Sequence, residues 1–147
     1  MTDPREPVPQ ALARYFARFG LDRAGYVARA FVVPLGPLRL TFPNPGRLFE
    51  HDHHHVALDL PADFWGEVEI SAFELRTGVP NAIIGLLCVG SLLLGALVRP
   101  RLVHAAWKRH PRARNLYQDA PPRDTLASMD VGELRAWMRL DGPGAAR

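Results

Sequence analysis

The sequence predicts an all-α chain, one domain of about six helices over residues 1–147. Three observations lead there. Apolar residues recur three and four apart through most of the chain, as on one face of a helix. No long stretch alternates apolar and polar residues as a half-buried strand does. Gly20, Gly46, Gly78, Pro100 and Pro111 fall between the periodic stretches and serve as stops or new starts.

Taken in order, "PQALARYFARFG" carries Leu12, Tyr15, Phe16 and Phe19 on one face, with Gly20 as its stop. "DRAGYVARAFVV" is expected to continue as a short helix. "PLGPLRLTFPNPG", with Pro34, Pro37, Pro43 and Pro45, reads as a loop, or at most a short edge strand over Leu38 to Thr41. A helix is expected from about Arg47 to Leu58. "DLPAD" breaks it, and Asp63 caps the next helix through "FWGEVEISAFELRTG". "AIIGLLCVGSLLLGALV", Ala82 to Val98, has no charge over 17 residues. It reads first as a buried core helix, second as a lipid-facing or interfacial wall, and third as a membrane span. "RLVHAAWKRH" is a further helix and "QDAPPRD" a loop. "DVGELRAWMRL" closes the fold, with Asp130 and Glu133 as a capping box.

A chain of 147 residues buries a core without disulfides, and its single cysteine, Cys88, fits a reducing compartment and a small apolar side chain. The N-terminus has no apolar stretch of a secretory signal, so a cytoplasmic location is expected. The formal charge is +3. The cations Arg99, Arg101, Lys108, Arg109, Arg112 and Arg114 lack interleaved aromatics for base stacking, so nucleic acid is not an expected partner. The cluster reads as a solvated face, with anionic lipid as its other use.

Four of six histidines lie within five positions, in "HDHHH" at 51–55. Each helical residue turns about 100°, which puts His51 and His55 on one face. Asp52 is expected in the same sector. His55 lies six residues before Pro61 and Glu67 six after it, so a hairpin would bring Glu67 level with His55. The spacing therefore predicts a metal-binding helix hairpin with His51, Asp52, His55 and Glu67 as ligands, as HExxH spacing places two histidines on one ion. An imidazole and carboxylate set suits Zn, Mn, Fe, Co or Mg, and leaves room for water or a substrate oxygen. His53 points away. His54, on the far side from Asp52, is the candidate for catalytic proton transfer. Glu74, two turns beyond Glu67, reads first as a surface ion pair. Arg76 and Arg99 are candidates to pair with a substrate carboxylate. Glu50 and His53 form a single ExxH, whereas a di-iron bundle needs two. An HD-type phosphohydrolase would not need Glu67.

"HDHHH", eleven residues, then Glu67 within "GEVEISAFEL", resembles the motif of the ubiquinone (coenzyme Q) biosynthesis protein four family. "AWKRHPRARNLYQDAP" with "VGELRAWMRL" is similar to that family's C-terminal end, so the likeness spans residues 47–140. The resemblance implies a helical, membrane-associated protein holding a divalent metal at His51, Asp52, His55 and Glu67. It also implies action on a polyprenylated aromatic acid in C1 oxidative decarboxylation, with Ala82 to Val98 lining a groove for the isoprenoid tail. Two alternatives stand beside it. One is a different aromatic or polyketide-like substrate in specialised metabolism; the other is a non-catalytic lipid-binding scaffold for a biosynthetic complex. The expected partners are a prenylated or other aromatic small molecule, a second copy of the chain in a homo-oligomer, and the inner face of the membrane as a peripheral contact.

Overall fold

In a computed structural model, residues 2–21, 30–35, 38–43 and 46–140 are described. Among them are eight helices and one two-stranded ladder, and the core is all-α. Helix α1 (Val8–Phe19) starts at Pro7 and ends at Gly20, whose left-handed φ of 65° suits glycine. It buries Val8, Ala11, Leu12, Tyr15 and Phe16, the spacing of one helical face. That face meets Val56 and Ala57 of α2 (Leu48–Leu58), and Val131, Leu134 and Met138 from the C-terminal end of the chain. Backbone hydrogen bonds from Val8 to Met129 and from Val131 to Glu6 tie the two chain ends together. Helix α8 (Val131–Trp137) starts with the expected capping box: the Glu133 amide donates to Asp130, and the Asp130 amide to the Glu133 carboxylate.

Helix α3 (Phe64–Thr77) begins at Asp63, whose Oδ1 accepts from the Gly66 amide at 2.9 Å. Helices α4 (Ala82–Val98) and α5 (Pro100–Arg109) both pack on α3 and on each other. Gly95 makes the α4 contact possible: a Cβ there would stand 2.8 Å from the Val68 side chain. Arg109 pairs with Glu69 to fasten α5 to α3. The short α6 (Leu116–Asp119) is capped by Asn115, whose side-chain amide also donates to Thr77 and Gly78 at the end of α3. Helix α7 (Arg123–Ser128) buries Leu126.

Four expectations need correction. Ala30–Leu35 and Leu38–Pro43 form an antiparallel hairpin, β1 and β2, paired from Ala30 with Pro43 to Leu35 with Leu38. The expected helix through Val33 therefore ends in a strand, and of the two readings of the following segment the strand holds, over Leu38–Pro43 rather than Leu38 to Thr41. Phe31, Val32 and Val33 in one strand and Thr41 and Phe42 in the other are strand-forming types. Residues 22–29, the rest of that expected helix, lie outside the described residues. "QDAPPRD" is a loop only at its centre, flanked by α6 and α7. Finally, α4 is not a buried core helix: it buries Ile84, Cys88 and Gly95 on one side and exposes Leu86, Leu93 and Leu97 on the other. Leu97 is 82% exposed. No helix is long and apolar enough to cross a membrane.

Candidate metal centre

The α2–α3 turn brings His51, His55 and Glu67 together: one ligand atom from each lies within 4.8 Å of the others. The turn is set by three local choices. Asp59 ends α2 in the left-handed region at φ 56°, held by the Thr2 amide and hydroxyl at 3.1 and 2.7 Å. The Leu60 amide closes back on the His55 carbonyl. Gly66 lets α3 approach so closely that a Cβ would lie 1.9 Å from the Pro61 carbonyl oxygen. The next residue, Glu67, is thereby set against α2. Its two oxygens stand 3.5 Å from His51 Nε2 and 3.2 Å from His55 Nε2.

The hydrogen bonds fix the tautomers. Carboxylates and carbonyls only accept, so a ring nitrogen facing one carries the proton. His51 Nδ1 faces Glu74 at 2.9 Å, and His55 Nδ1 faces the Leu60 carbonyl at 3.3 Å. In their neutral forms both rings present bare Nε2 lone pairs, 3.1 Å apart, toward each other and toward Glu67, and in the metal-free protein a proton on His51 bridges them. Two nitrogens bound at 2.0–2.1 Å to one tetrahedral zinc stand about 3.3 Å apart, close to this separation. The pocket is open on one side: the His51 side chain is 21% exposed and that of Glu67 40%, while His55 is buried against Tyr15.

The electrostatics agree with a cation site. Burial alone would lower the pKa of His51, but the Glu74 and Glu67 carboxylates raise it well above the ordinary histidine value. Burial would raise both carboxyls, yet the imidazoles hold Glu67 and Glu74 far below the usual carboxylate range. Both stay ionised, so the pocket is negative whenever its histidines are neutral.

The other expected site residues fall differently. Asp52 is half-buried on α2 and lies outside the group, because a 100° turn per residue carries it about 60° past His55 and away from Glu67. His53 is buried outside the group, its Nδ1 on the Phe49 carbonyl. His54 is fully buried and both nitrogens are in use: Nδ1 donates to Glu74 at 2.9 Å, and Nε2 accepts from the Leu116 amide at 3.2 Å. Burial lowers its pKa. It is a neutral strut between α2, α3 and α6 rather than the expected proton-transfer group. Arg76 lies nine residues beyond Glu67, about 13 Å along α3, and donates to the Trp107 carbonyl. Arg99 sits 4.1 Å over the Trp65 ring, at the Glu67 end of α3.

Sequence reasoning undervalued Glu74. It is 1% exposed, not a surface ion pair, and it receives hydrogen bonds from His51, His54 and the Cys88 thiol, the last at 3.7 Å. Its one sequence signal is its position seven residues after Glu67, two turns along the same face. Cys88 is buried, and its thiol is pushed up to about 12 by burial and the Glu74 charge, so it is inert as a nucleophile. No family model, curated protein or solved structure matches the chain.

Proposed function

We propose that this chain is a metal-dependent enzyme acting on an aromatic carboxylic acid, as its resemblance to the ubiquinone biosynthesis protein four family suggests. The observation that carries the metal reading is the convergence of two bare imidazole nitrogens, 3.1 Å apart, on one carboxylate. Three acceptors that close repel one another unless a cation, a metal ion or a proton on His51, lies between them. The donor set has nitrogen and oxygen and no thiolate, which suits Zn, Mn, Fe, Co or Mg. His51, His55 and Glu67 would hold the ion and leave positions for a substrate oxygen. When bound, such an ion supplies Lewis-acid stabilisation of negative charge on that oxygen. Tyr15 packs on the His55 ring on one side of the pocket, and the exposed side at Glu67 would admit the substrate. In the proposed reaction the ring–carboxylate bond breaks to release carbon dioxide, a hydroxyl from water takes its place on the same carbon, and dioxygen accepts the two electrons and two protons released and leaves as hydrogen peroxide.

A second reading, a lipid-binding scaffold, is favoured by one observation: the outward side of α4 exposes Leu86, Leu93, Leu94 and Leu97 with no charge along the helix. No acidic residue occurs between Glu74 and Asp119, a stretch with seven lysines and arginines. An apolar helix face within an acid-free, basic stretch of sequence suits a peripheral contact with anionic lipid. The experiment for the first reading is elemental analysis of protein purified without chelator, followed by titration with Zn²⁺, Mn²⁺ and Co²⁺. One saturable ion per chain is expected, and no bound metal with no saturable binding refutes it. Chelation then separates the two readings: lost turnover with intact helicity supports the enzyme, and unfolding supports a metal that only staples two helices.

A further inference from the structure

Glu74 touches no ion-facing nitrogen, yet it is the most buried carboxylate of the described residues and the one with the most side-chain donors. One oxygen, Oε1, accepts from both His51 Nδ1 and His54 Nδ1, each at 2.9 Å. His54 is in turn fixed by the Leu116 amide, so the carboxylate is braced from α6 as well as from α3. Rotating the His51 ring by half a turn would break the bond to Glu74 and put a carbon, Cε1, where Nε2 now faces the pocket. We propose that Glu74 is the positioning residue of the metal centre: its carboxylate holds His51 with Nε2 toward the ion, and its charge joins that of Glu67 to balance a divalent cation. The proposal rests on the metal reading above. A carboxylate behind a ligating histidine fixes the tautomer and strengthens the ligand, and its loss costs about 10- to 100-fold in metal affinity. With three neutral imidazoles and two carboxylates the cluster carries two negative charges, matched by one divalent ion. The second imidazole, His54, holds the same oxygen, Oε1, from another direction.

The test compares wild type with Glu74→Gln, which keeps size and an acceptor oxygen but removes the charge. Zn²⁺ affinity is measured by chelator competition, coordination by the visible spectrum of the Co²⁺ form, and folding by far-UV circular dichroism. The expected result is unchanged helicity, Zn²⁺ binding about 10- to 100-fold weaker, and an altered Co²⁺ spectrum. Equal affinity in the two proteins, even with a lower melting temperature for the variant, overturns the proposal and leaves the metal reading standing. No Zn²⁺ binding by wild type overturns both. If the variant does not fold, nitrogen-15 NMR of the Zn²⁺-loaded wild type decides. Ligation of His51 through Nε2 with a proton on Nδ1 upholds the proposal, and ligation through Nδ1 overturns it.

Discussion

Gly66→Ala tests whether the close α2–α3 turn builds the site. On helix propensity alone the change should help, since alanine in place of glycine gains up to about 1 kcal/mol. The structure predicts the opposite sign. The new Cβ would lie 1.9 Å from the Pro61 carbonyl oxygen and 2.9 Å from its carbon, whereas real Cβ contacts essentially never fall under 3.0 Å. The obstacle is backbone, so no side chain can swing away, and at least 1.1 Å must open between the turn and α3. Overpacking of this kind costs about 1–3 kcal/mol, and more where the backbone itself must move, which outweighs the propensity gain. At about 3 °C per kcal/mol for a chain of this size, the melting temperature should fall by roughly 3–9 °C. The same shift acts on Glu67, the next residue, whose Oε1 stands 3.2 Å from His55 Nε2. Metal–ligand distances tolerate only about 0.2 Å, so Zn²⁺ affinity should drop by at least about tenfold. Differential scanning calorimetry and chelator competition measure the two effects. An alanine variant that melts at or above the wild-type temperature and binds Zn²⁺ equally would refute the reasoning.

Three further outcomes follow from the same geometry. His54→Ala should cost about 2–4 kcal/mol in denaturant unfolding, because it opens a buried cavity and strands the Leu116 amide; an unchanged midpoint would show that His54 is not a strut. Leu93→Lys with Leu97→Lys should change stability by less than about 0.5 kcal/mol, since both side chains face solvent, and should weaken co-sedimentation with phosphatidylglycerol vesicles; equal co-sedimentation counts against the lipid reading. For the metal-free protein, the raised pKa of His51 contributes stability that is full below the unfolded value of about 6.5 and is lost as pH rises through the folded value. His54, shifted downward, adds no slope above that pH. Urea midpoints of metal-free protein should therefore fall from pH 7 upward, the loss should be reversed by Zn²⁺, and a flat profile would contradict the assigned His51 environment.

The parts of the site legible in the sequence are those that a single helix or a single turn determines. His51 and His55 share a face because they are four apart, and Glu67 arrives because it mirrors His55 about Pro61. Gly66 belonged to the recognisable motif, and its close approach to Pro61 gives it a physical reason. Asp52 stands outside the three-residue group by the same arithmetic that placed the histidines, since one residue of helix is a large rotation. The roles of His54 and Glu74 were not legible, because each depends on which distant segment covers it: the Leu116 amide lies 62 residues from His54, and Cys88 lies 14 from Glu74.

Helix α4 shows a different limit. Periodicity reveals a buried face only where polar residues mark the opposite one, and Ala82 to Val98 has no such mark. What chose the inner face was local shape on α3. Gly95 is the residue small enough to lie against Val68, and Cys88 reaches the Glu74 carboxylate, so both must point inward. With that side fixed, Leu86, Leu93 and Leu97 point outward by rotation alone. The same contact places the end of α4, and Arg99 on the Trp65 ring, beside the turn of α3 that carries Glu67. The apolar outer face and the ion site are thus joined through one short piece of α3, Trp65 to Val68. A perturbation of that piece should be felt at both, which neither motif by itself would suggest.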